Sequence, residues 1–557
     1  MTVELGRIES GVETPMRDGV PLRGDLWRPP APAPAVIFRT PYGRREIGSD
    51  ALHPRHCLAG GFAALAQDTR GRFDSGGEWR AVMWEQEAED TYDTVEWAAA
   101  QPWCDGNVFL AGTSYLGIVA WLGAALRPPH LRGIAPAMTT GAAADARDTG
   151  GALRLDHLVG WLAYMAADWL GRQGPDADPA LAARVAALIH DPERAMRRLP
   201  LAGMPELDLP GFPIRIGDLL AGRVRALPDW DHAAVEVPVL SVTGWYDVYA
   251  SATVRGHLEM RRLRPDLRHE LIVGPWAHTG ALTHLQGEVN FGVAASAAAA
   301  RLPERHLDFF RRCLDGPGES APVLYFLMGA DEWRTAERWP PAGTAGLALH
   351  LTGPAVAGGT PGGLAAGPDP AGPAEPDGYV HDPADPVPSR GGRVLHLGRL
   401  VPGPLDLGRI AARPDVLLYL GDVLGEDTDV TGRVRLRLSF ATDAADADVM
   451  ARLVDRLPDG RLLPVCEGAV RLSHRDGPGT PVPRGEVIPL EIDLGYTARR
   501  FGEGHSIGLL LSSSSFPHFD RNQGGGEPVA TAGPGTPSTQ SVHYGASVLL
   551  LGGEGER

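Results

Sequence analysis

The apolar run Val108-Phe109-Leu110-Ala111 passes without a break into Gly112-Thr113-Ser114-Tyr115-Leu116-Gly117, and this junction constrains the fold more than any other stretch. We read it as the Gly-x-Ser-x-Gly pattern of a nucleophile elbow, with the closing glycine at 117. In such an elbow a buried strand turns sharply into a helix, the serine hydroxyl is exposed at the turn, and flanking glycines relieve the crowding. The continuous apolar run predicts a parallel strand buried on both faces. Residues 118–126, rich in Ala, Leu and Trp, predict the helix that follows, and Pro128 and Pro129 stop it. Similar spacings arise in ordinary turns, so the strand-turn-helix setting is what makes Ser114 the candidate nucleophile.

A serine hydroxyl is a poor nucleophile near neutral pH and needs a histidine base and an orienting carboxylate, in the chain order Ser, Asp, His. Two further short apolar runs supply them. Pro238-Val239-Leu240-Ser241-Val242-Thr243-Gly244-Trp245-Tyr246-Asp247 ends in an acid, and Leu271-Ile272-Val273-Gly274-Pro275-Trp276-Ala277-His278 ends in a histidine. Each places its polar residue just past the carboxyl end of a predicted strand, the edge where open α/β sheets gather their sites. Asp247 and His278 are the candidate acid and base. An aspartate at a strand end is also a common helix cap or turn former, so Asp247 takes its meaning from Ser114. Among the 18 histidines, His257 on a predicted helix and His284 in a predicted loop are held in reserve.

A chain of 557 residues is too long for one hydrophobic core and predicts two or three domains. Its formal net charge of −17 argues against nucleic acid or an anionic membrane surface as partner. Residues 1–20 hold no apolar segment of the signal-peptide kind, and no stretch approaches the roughly 18 uninterrupted apolar residues of a membrane span. The expectation is a cytoplasmic protein with no membrane partner. Cys57, Cys104, Cys313 and Cys466 lie far apart with no ligand spacing, so neither a disulfide framework nor a zinc site is expected, and no metal or cofactor is assigned.

Strand candidates starting near Val36, Phe62, Val108, Leu131, Val239 and Leu271 alternate with helical stretches at 85–100 and 118–126, the pattern of a mostly parallel α/β sheet. The pattern is interrupted from about 150 to 227 by segments of helical spacing, which predict a cap inserted before the acid-bearing strand. After about 317 the chain becomes strand-rich. Residues 353–393, dense in Gly, Pro and Ala, predict a long loop or crossover, and the strands beyond it predict a β-sandwich. The expected domains are 1–149 and 228–317 for the α/β unit that carries the elbow, 150–227 for the cap and 318–557 for the β-sandwich. Trp161, Tyr164, Met165 and Trp169 of the cap have the spacing of an acyl-pocket wall and equally of one packed helix face. Trp245, Tyr249 and Trp276, beside the candidate acid and base, are further pocket candidates. Asp68, Arg70 and Asp74 read as a loop-bracing network, and the acidic stretch 421–432, lacking calcium-loop spacing, reads as a turn.

Met16-Arg17-Asp18-Gly19-Val20, Arg39-Thr40-Pro41-Tyr42, Asp68-Thr69-Arg70-Gly71, Trp103-Cys104-Asp105-Gly106-Asn107 and the elbow, together with Gly244-Trp245-Tyr246-Asp247, Gly274-Pro275-Trp276-Ala277-His278, Ser513-Ser514-Ser515-Phe516-Pro517 and Phe519-Asp520-Arg521-Asn522, span nearly the whole chain. On these motifs the chain resembles the CocE/NonD serine-hydrolase family, which contains cocaine esterase, Xaa-Pro dipeptidyl-peptidases and α-amino-acid ester hydrolases. The resemblance implies that the phenol of Tyr42 donates to an oxyanion beside the backbone N–H of Tyr115, that the β-rich region is a jelly roll closing one side of the site, and that the substrate is a small ester or amide. Three readings of the activity stay open: an acyl ester hydrolase, an aminopeptidase or α-amino-acid ester hydrolase, and an acyltransferase in biosynthesis. The second needs a carboxylate facing a substrate ammonium, for which Asp156, Asp168, Asp229 and Asp231 are available. The oligomeric state is open, a homodimer included.

Overall fold

Neighbouring residues of the central strands enter different cores. In Ala33–Thr40, Val36 and Phe38 pack with Phe109 and Ala111 of Cys104–Thr113, while Ala35 and Ile37 pack with Val108 and Leu110 on the opposite face. A strand buried on both sides has no polar face, and its sequence reads as an unbroken apolar run. The computed structural model describes residues 6–47, 51–80, 84–139, 148–223, 230–278, 282–316, 318–368, 375–395 and 400–553. Ten strands form the central sheet: β1 (Arg7–Pro15), β2 (Pro21–Arg28), β3 (Ala33–Thr40), β4 (Ala63–Asp68), β5 (Cys104–Thr113), β6 (Leu131–Ala137), β7 (Val239–Tyr246), β8 (His269–Ala277), β9 (Val323–Leu327) and β10 (Glu332–Ala336). Their spatial order is 1-2-4-3-5-6-7-8-9-10. The run from β4 through β9 is parallel, while β1, β2 and β10 pair antiparallel. Helices Trp84–Ala99, Tyr115–Ala125, Ala250–Leu263 and Leu302–Leu314 pack against this sheet, giving the α/β-hydrolase architecture.

Three elements of this unit differ from expectation. The helix after the elbow starts at Tyr115, because the elbow turn leads straight into its first turn. The strands β9 and β10, expected to open the β-sandwich, extend the hydrolase sheet instead, with Leu324 paired to Ile272 of β8. Phe326 and Leu327 fill the same core as Trp245 and Val273, so apolar packing assigns them to this sheet despite the change of composition near 317.

Between β6 and β7 the chain leaves the sheet and builds a helical layer with its own core. Helix Leu155–Gly171 presents Leu155, Val159, Leu162, Ala166 and Leu170 as an apolar stripe. Val185 and Leu188 of helix Pro179–His190 pack into the same core, as does Phe212. The N-terminus of helix Leu155–Gly171 is capped from the far end of the chain: the N–H groups of Leu155 and Asp156 donate to the carbonyls of His518 at 2.9 Å and Pro517 at 3.0 Å. That satisfies donors a helix cannot satisfy itself and docks the C-terminal region onto the cap.

The C-terminal region forms a second, eleven-stranded sheet around one core that includes Leu436, Phe440, Leu453, Ile492 and Leu509. Two of its strands, Gly362–Ala365 and Asp377–His381, lie in the stretch expected to be loop. Composition hid the first, because its glycine is there for packing: a Cβ on Gly362 would meet the Tyr419 ring at 2.6 Å. The acidic stretch read as a turn is a strand from Thr428 onward, part of Thr428–Thr442. Asp429 there stands opposite Arg500 and accepts its Nε–H at 2.6 Å. Among the described residues no helix is long and apolar enough to cross a membrane.

Four desolvated imidazoles tie stability to pH. Burial lowers His157 and His257 to about 3 and His269 and His306 to about 4, against an ordinary value near 6.5. Above about pH 6.5 folded and unfolded chains are both neutral at these groups; below it the unfolded chain takes up protons that the folded chain refuses. Stability therefore falls as the pH drops from about 6.5 toward 4. Urea melts at several pH values check this, and His257→Leu is expected to flatten the slope; an unchanged slope would contradict it.

Candidate active site

Three strands bring their carboxyl ends to one rim. Thr113, the last residue of β5, lies opposite Ala137 of β6, Ala137 lies opposite Val242 of β7, and Tyr246 at the end of β7 lies opposite Ala277 at the end of β8. Ser114, Asp247 and His278 are each the first residue past their strand. Ser114 has φ 61° and ψ −120°, a backbone conformation that residues with a Cβ seldom adopt. Its N–H donates to the Ala137 carbonyl at 2.9 Å, and its carbonyl accepts the Ile118 N–H at 3.0 Å, so neighbouring elements hold the turn. Gly112 is required beside it: a Cβ there would lie 2.3 Å from the Cβ of Leu116. Leu116, not glycine, stands two residues after the serine, and the elbow departs in this from the Gly-x-Ser-x-Gly form. Gly117 instead lets the helix approach Thr139, whose Cβ would be 2.9 Å from an added Cβ.

The imidazole of His278 lies between the other two groups, with Nε2 3.0 Å from Ser114 Oγ and Nδ1 2.9 Å from Asp247 Oδ2. A carboxylate only accepts, so Nδ1 carries the proton and the Nε2 lone pair faces the serine. Asp247 is fully buried, and its second oxygen accepts the Tyr249 N–H at 2.5 Å. The Tyr249 ring packs edge-on against His278 at 5.4 Å, and its hydroxyl lies 3.1 Å from His157 Nε2. Neither reserve histidine joins this chain of contacts: His257 is buried in helix Ala250–Leu263, and His284 lies in a turn whose carbonyl accepts the Phe291 N–H.

Tyr42 follows β3 by two residues. Its hydroxyl oxygen accepts the Trp161 Nε1–H at 3.1 Å, which leaves the phenolic proton free to donate elsewhere. Burial pushes that phenol up to about 12, so it stays protonated at neutral pH. Tyr115 opens the helix after the elbow, where a backbone N–H has no partner within the helix. Its own ring packs edge-on against that of Tyr42 at 6.1 Å, and its hydroxyl donates to buried Glu87 at 2.9 Å. The loop carrying Tyr42 is braced as expected from Asp68, Arg70 and Asp74. Buried Arg44 bonds Asp68, Asp25 at 3.0 Å and Asp74 at 2.8 Å, while Arg70 bonds Asp18 and Asp90, each at 2.7 Å.

The aromatic residues divide. Trp161 and Tyr249 lie at the site. Trp169 packs on Phe212 within the cap, with ring centroids 5.6 Å apart, and Met165 is buried in the cap core. Trp245 and Trp276 are not pocket walls: both are fully buried, with their N–H groups donating to the carbonyls of Phe326 at 2.7 Å and Ala295 at 2.8 Å. They lie beneath the rim, within the packed layer of the sheet, and adjacency in sequence to the acid and base did not reveal that. Trp245→Ala is therefore expected to cost about 3–5 kcal/mol of stability while leaving KM within about twofold, checked by melts and ester kinetics together.

The acids proposed for a substrate ammonium are engaged to different degrees. Asp156 Oδ1 accepts from His518 at 3.1 Å and from the His157 N–H at 2.6 Å, while its Oδ2 is buried with no hydrogen-bond partner among the described residues. Asp168 pairs with Arg72 at 2.6 Å and Arg172 at 3.2 Å, and Asp231 caps the Ala233 N–H at 2.8 Å. Asp229 lies outside the described residues.

Residues 18–280 match the X-Pro dipeptidyl-peptidase (S15 family), and residues 317–547 match the X-Pro dipeptidyl-peptidase C-terminal non-catalytic domain. Cocaine esterase of Rhodococcus sp. (strain MB1 Bresler) is 36% identical over 94% of this chain and 93% of its own. Among solved structures, an α-amino acid ester hydrolase superposes with a TM-score of 0.74 at 22% identity, covering 99% of this chain and 97% of that one. An aminopeptidase from a marine sediment archaeon (Thaumarchaeota archaeon) superposes with a TM-score of 0.72 at 23% identity over the same shares; both likenesses concern the fold.

Proposed function

This chain belongs to the X-Pro dipeptidyl-peptidase (S15) family of serine hydrolases, and on that premise we propose that it hydrolyses small carboxylic esters through an acyl-enzyme on Ser114. The observation that carries this reading is the unbroken line Ser114 Oγ, His278, Asp247, with contacts of 3.0 and 2.9 Å. As Ser114 attacks the carbonyl carbon, its proton passes to His278 Nε2, and the buried carboxylate of Asp247 stabilises the imidazolium. The oxyanion receives hydrogen bonds from the Tyr42 phenol and the Tyr115 backbone N–H. The imidazolium then protonates the departing alcohol, and water repeats the sequence on the acyl-enzyme. Losing one aimed oxyanion donor typically costs about 2.7–4 kcal/mol of barrier. Tyr42→Phe should therefore reduce kcat about a hundredfold to a thousandfold with KM little changed, as steady-state kinetics would report.

Ester cleavage is favoured because the relative that is 36% identical over 94% of this chain is an esterase, whereas recognition of a free α-amino group would need a carboxylate partner for the ammonium. Of the nominated acids among the described residues, Asp168 is paired with two arginines and Asp231 caps a turn, which leaves the unbonded Oδ2 of Asp156 for that role. Hydrolysis of p-nitrophenyl acyl esters, lost in Ser114→Ala, tests the reading. Faster turnover of an N-blocked than of a free α-amino ester separates it from an aminopeptidase, and partition toward an added amine over water would reveal a transferase.

A further inference from the structure

Tyr42 and its partner Trp161 belong to different segments, a loop after β3 and a helix of the cap, and one buried side chain touches both segments. The Arg72 guanidinium has no exposed surface. Its Nε donates to the carbonyl of Pro41, the residue before Tyr42, at 2.6 Å. Its Nη2 donates to Asp168 Oδ2 at 2.6 Å. Asp168 lies two helical turns beyond Trp161 in Leu155–Gly171, and Tyr164 between them on the same helix face packs edge-on against Tyr42 at 5.8 Å. The guanidinium also stacks over the Trp79 ring at 4.7 Å, which fixes its plane.

A buried cation is costly to place, and an apolar residue of similar volume would fill the space at less cost. What the fork of Arg72 adds is geometry, since one rigid plane sets the distance between the peptide leading into Tyr42 and the helix face carrying Trp161. We propose that Arg72 is a positioning residue for oxyanion stabilisation: together with Asp168 it aims the Tyr42 phenol by locking its loop to the cap helix whose Trp161 holds the phenol oxygen. This rests on the role given to Tyr42 under Proposed function. Docking of the cap and formation of the oxyanion site are then one event, and loss of the link acts on kcat, because the phenol is used when charge appears on the carbonyl oxygen.

The test is a double-mutant cycle on hydrolysis of a p-nitrophenyl ester, with Arg72→Met, Arg72→Lys and Asp168→Asn each made in the parent and in Tyr42→Phe. In the parent, Arg72→Met should lower kcat about tenfold or more with KM within about twofold. In the Tyr42→Phe background the same change should have almost no further effect, because the group it positions is gone. Arg72→Lys, which keeps the charge but not the fork, should resemble Arg72→Met. If Arg72→Met fails to fold, Arg72→Lys and Asp168→Asn are read in the same way. Equal losses in both backgrounds, or a loss confined to KM, would reduce Arg72 to a scaffold residue and overturn the inference. Full activity in Tyr42→Phe alone would instead remove the oxyanion role of Tyr42, and the positioning role with it.

Discussion

Replacing Ser114 by Ala is expected to lower kcat for an activated ester by about a millionfold while the protein keeps its circular dichroism and melting profile. The hydroxyl is the atom that bonds to the acyl group, so no neighbour can take its place. The substitution should leave the fold intact, because Ala has a Cβ like Ser and fits the same φ of 61° that the elbow already imposes. Whatever rate remains comes from the oxyanion donors and substrate positioning. A residual rate within a hundredfold of the parent would mean that a different nucleophile operates.

The second large effect falls on Asp247→Asn, for which a loss of about ten-thousandfold in kcat near neutral pH is expected. The geometry dictates the direction. Tyr249 N–H donates to one carboxylate oxygen at 2.5 Å, so an asparagine there must turn its carbonyl toward Tyr249 and its amino group toward His278. Nδ1 then becomes an acceptor, the ring proton moves to Nε2, and the base no longer has a lone pair facing Ser114. Steady-state kinetics check this, with KM staying within about threefold. A loss smaller than about tenfold would show that the buried carboxylate does not set the tautomer.

The positions of these groups were legible because each polar residue follows directly on an apolar strand, and parallel strands in one sheet must end at a common rim. Tyr42 needed the family resemblance, since nothing local distinguishes it from a tyrosine packed after a proline. Its partner Trp161 lies 119 residues away and meets it only through docking of the cap, which no local pattern encodes. Trp245 and Trp276 misled for a related reason: nearness along the chain to an acid or base does not say whether a ring lies above the rim or within the sheet layer. In the C-terminal region the strand Gly362–Ala365 was hidden by glycines required for close packing, Gly362 on Tyr419 and Gly363 on Thr352. Asp429 looked like a turn residue because its cross-strand partner, Arg500, is distant in sequence.

The most direct measurement is peptide mass spectrometry of protein quenched in acid during turnover of a p-nitrophenyl ester. The expected result is the acyl mass on the peptide containing Ser114, accumulating in the parent and absent from Ser114→Ala. An adduct on another residue, or turnover that persists in Ser114→Ala without one, would contradict the account.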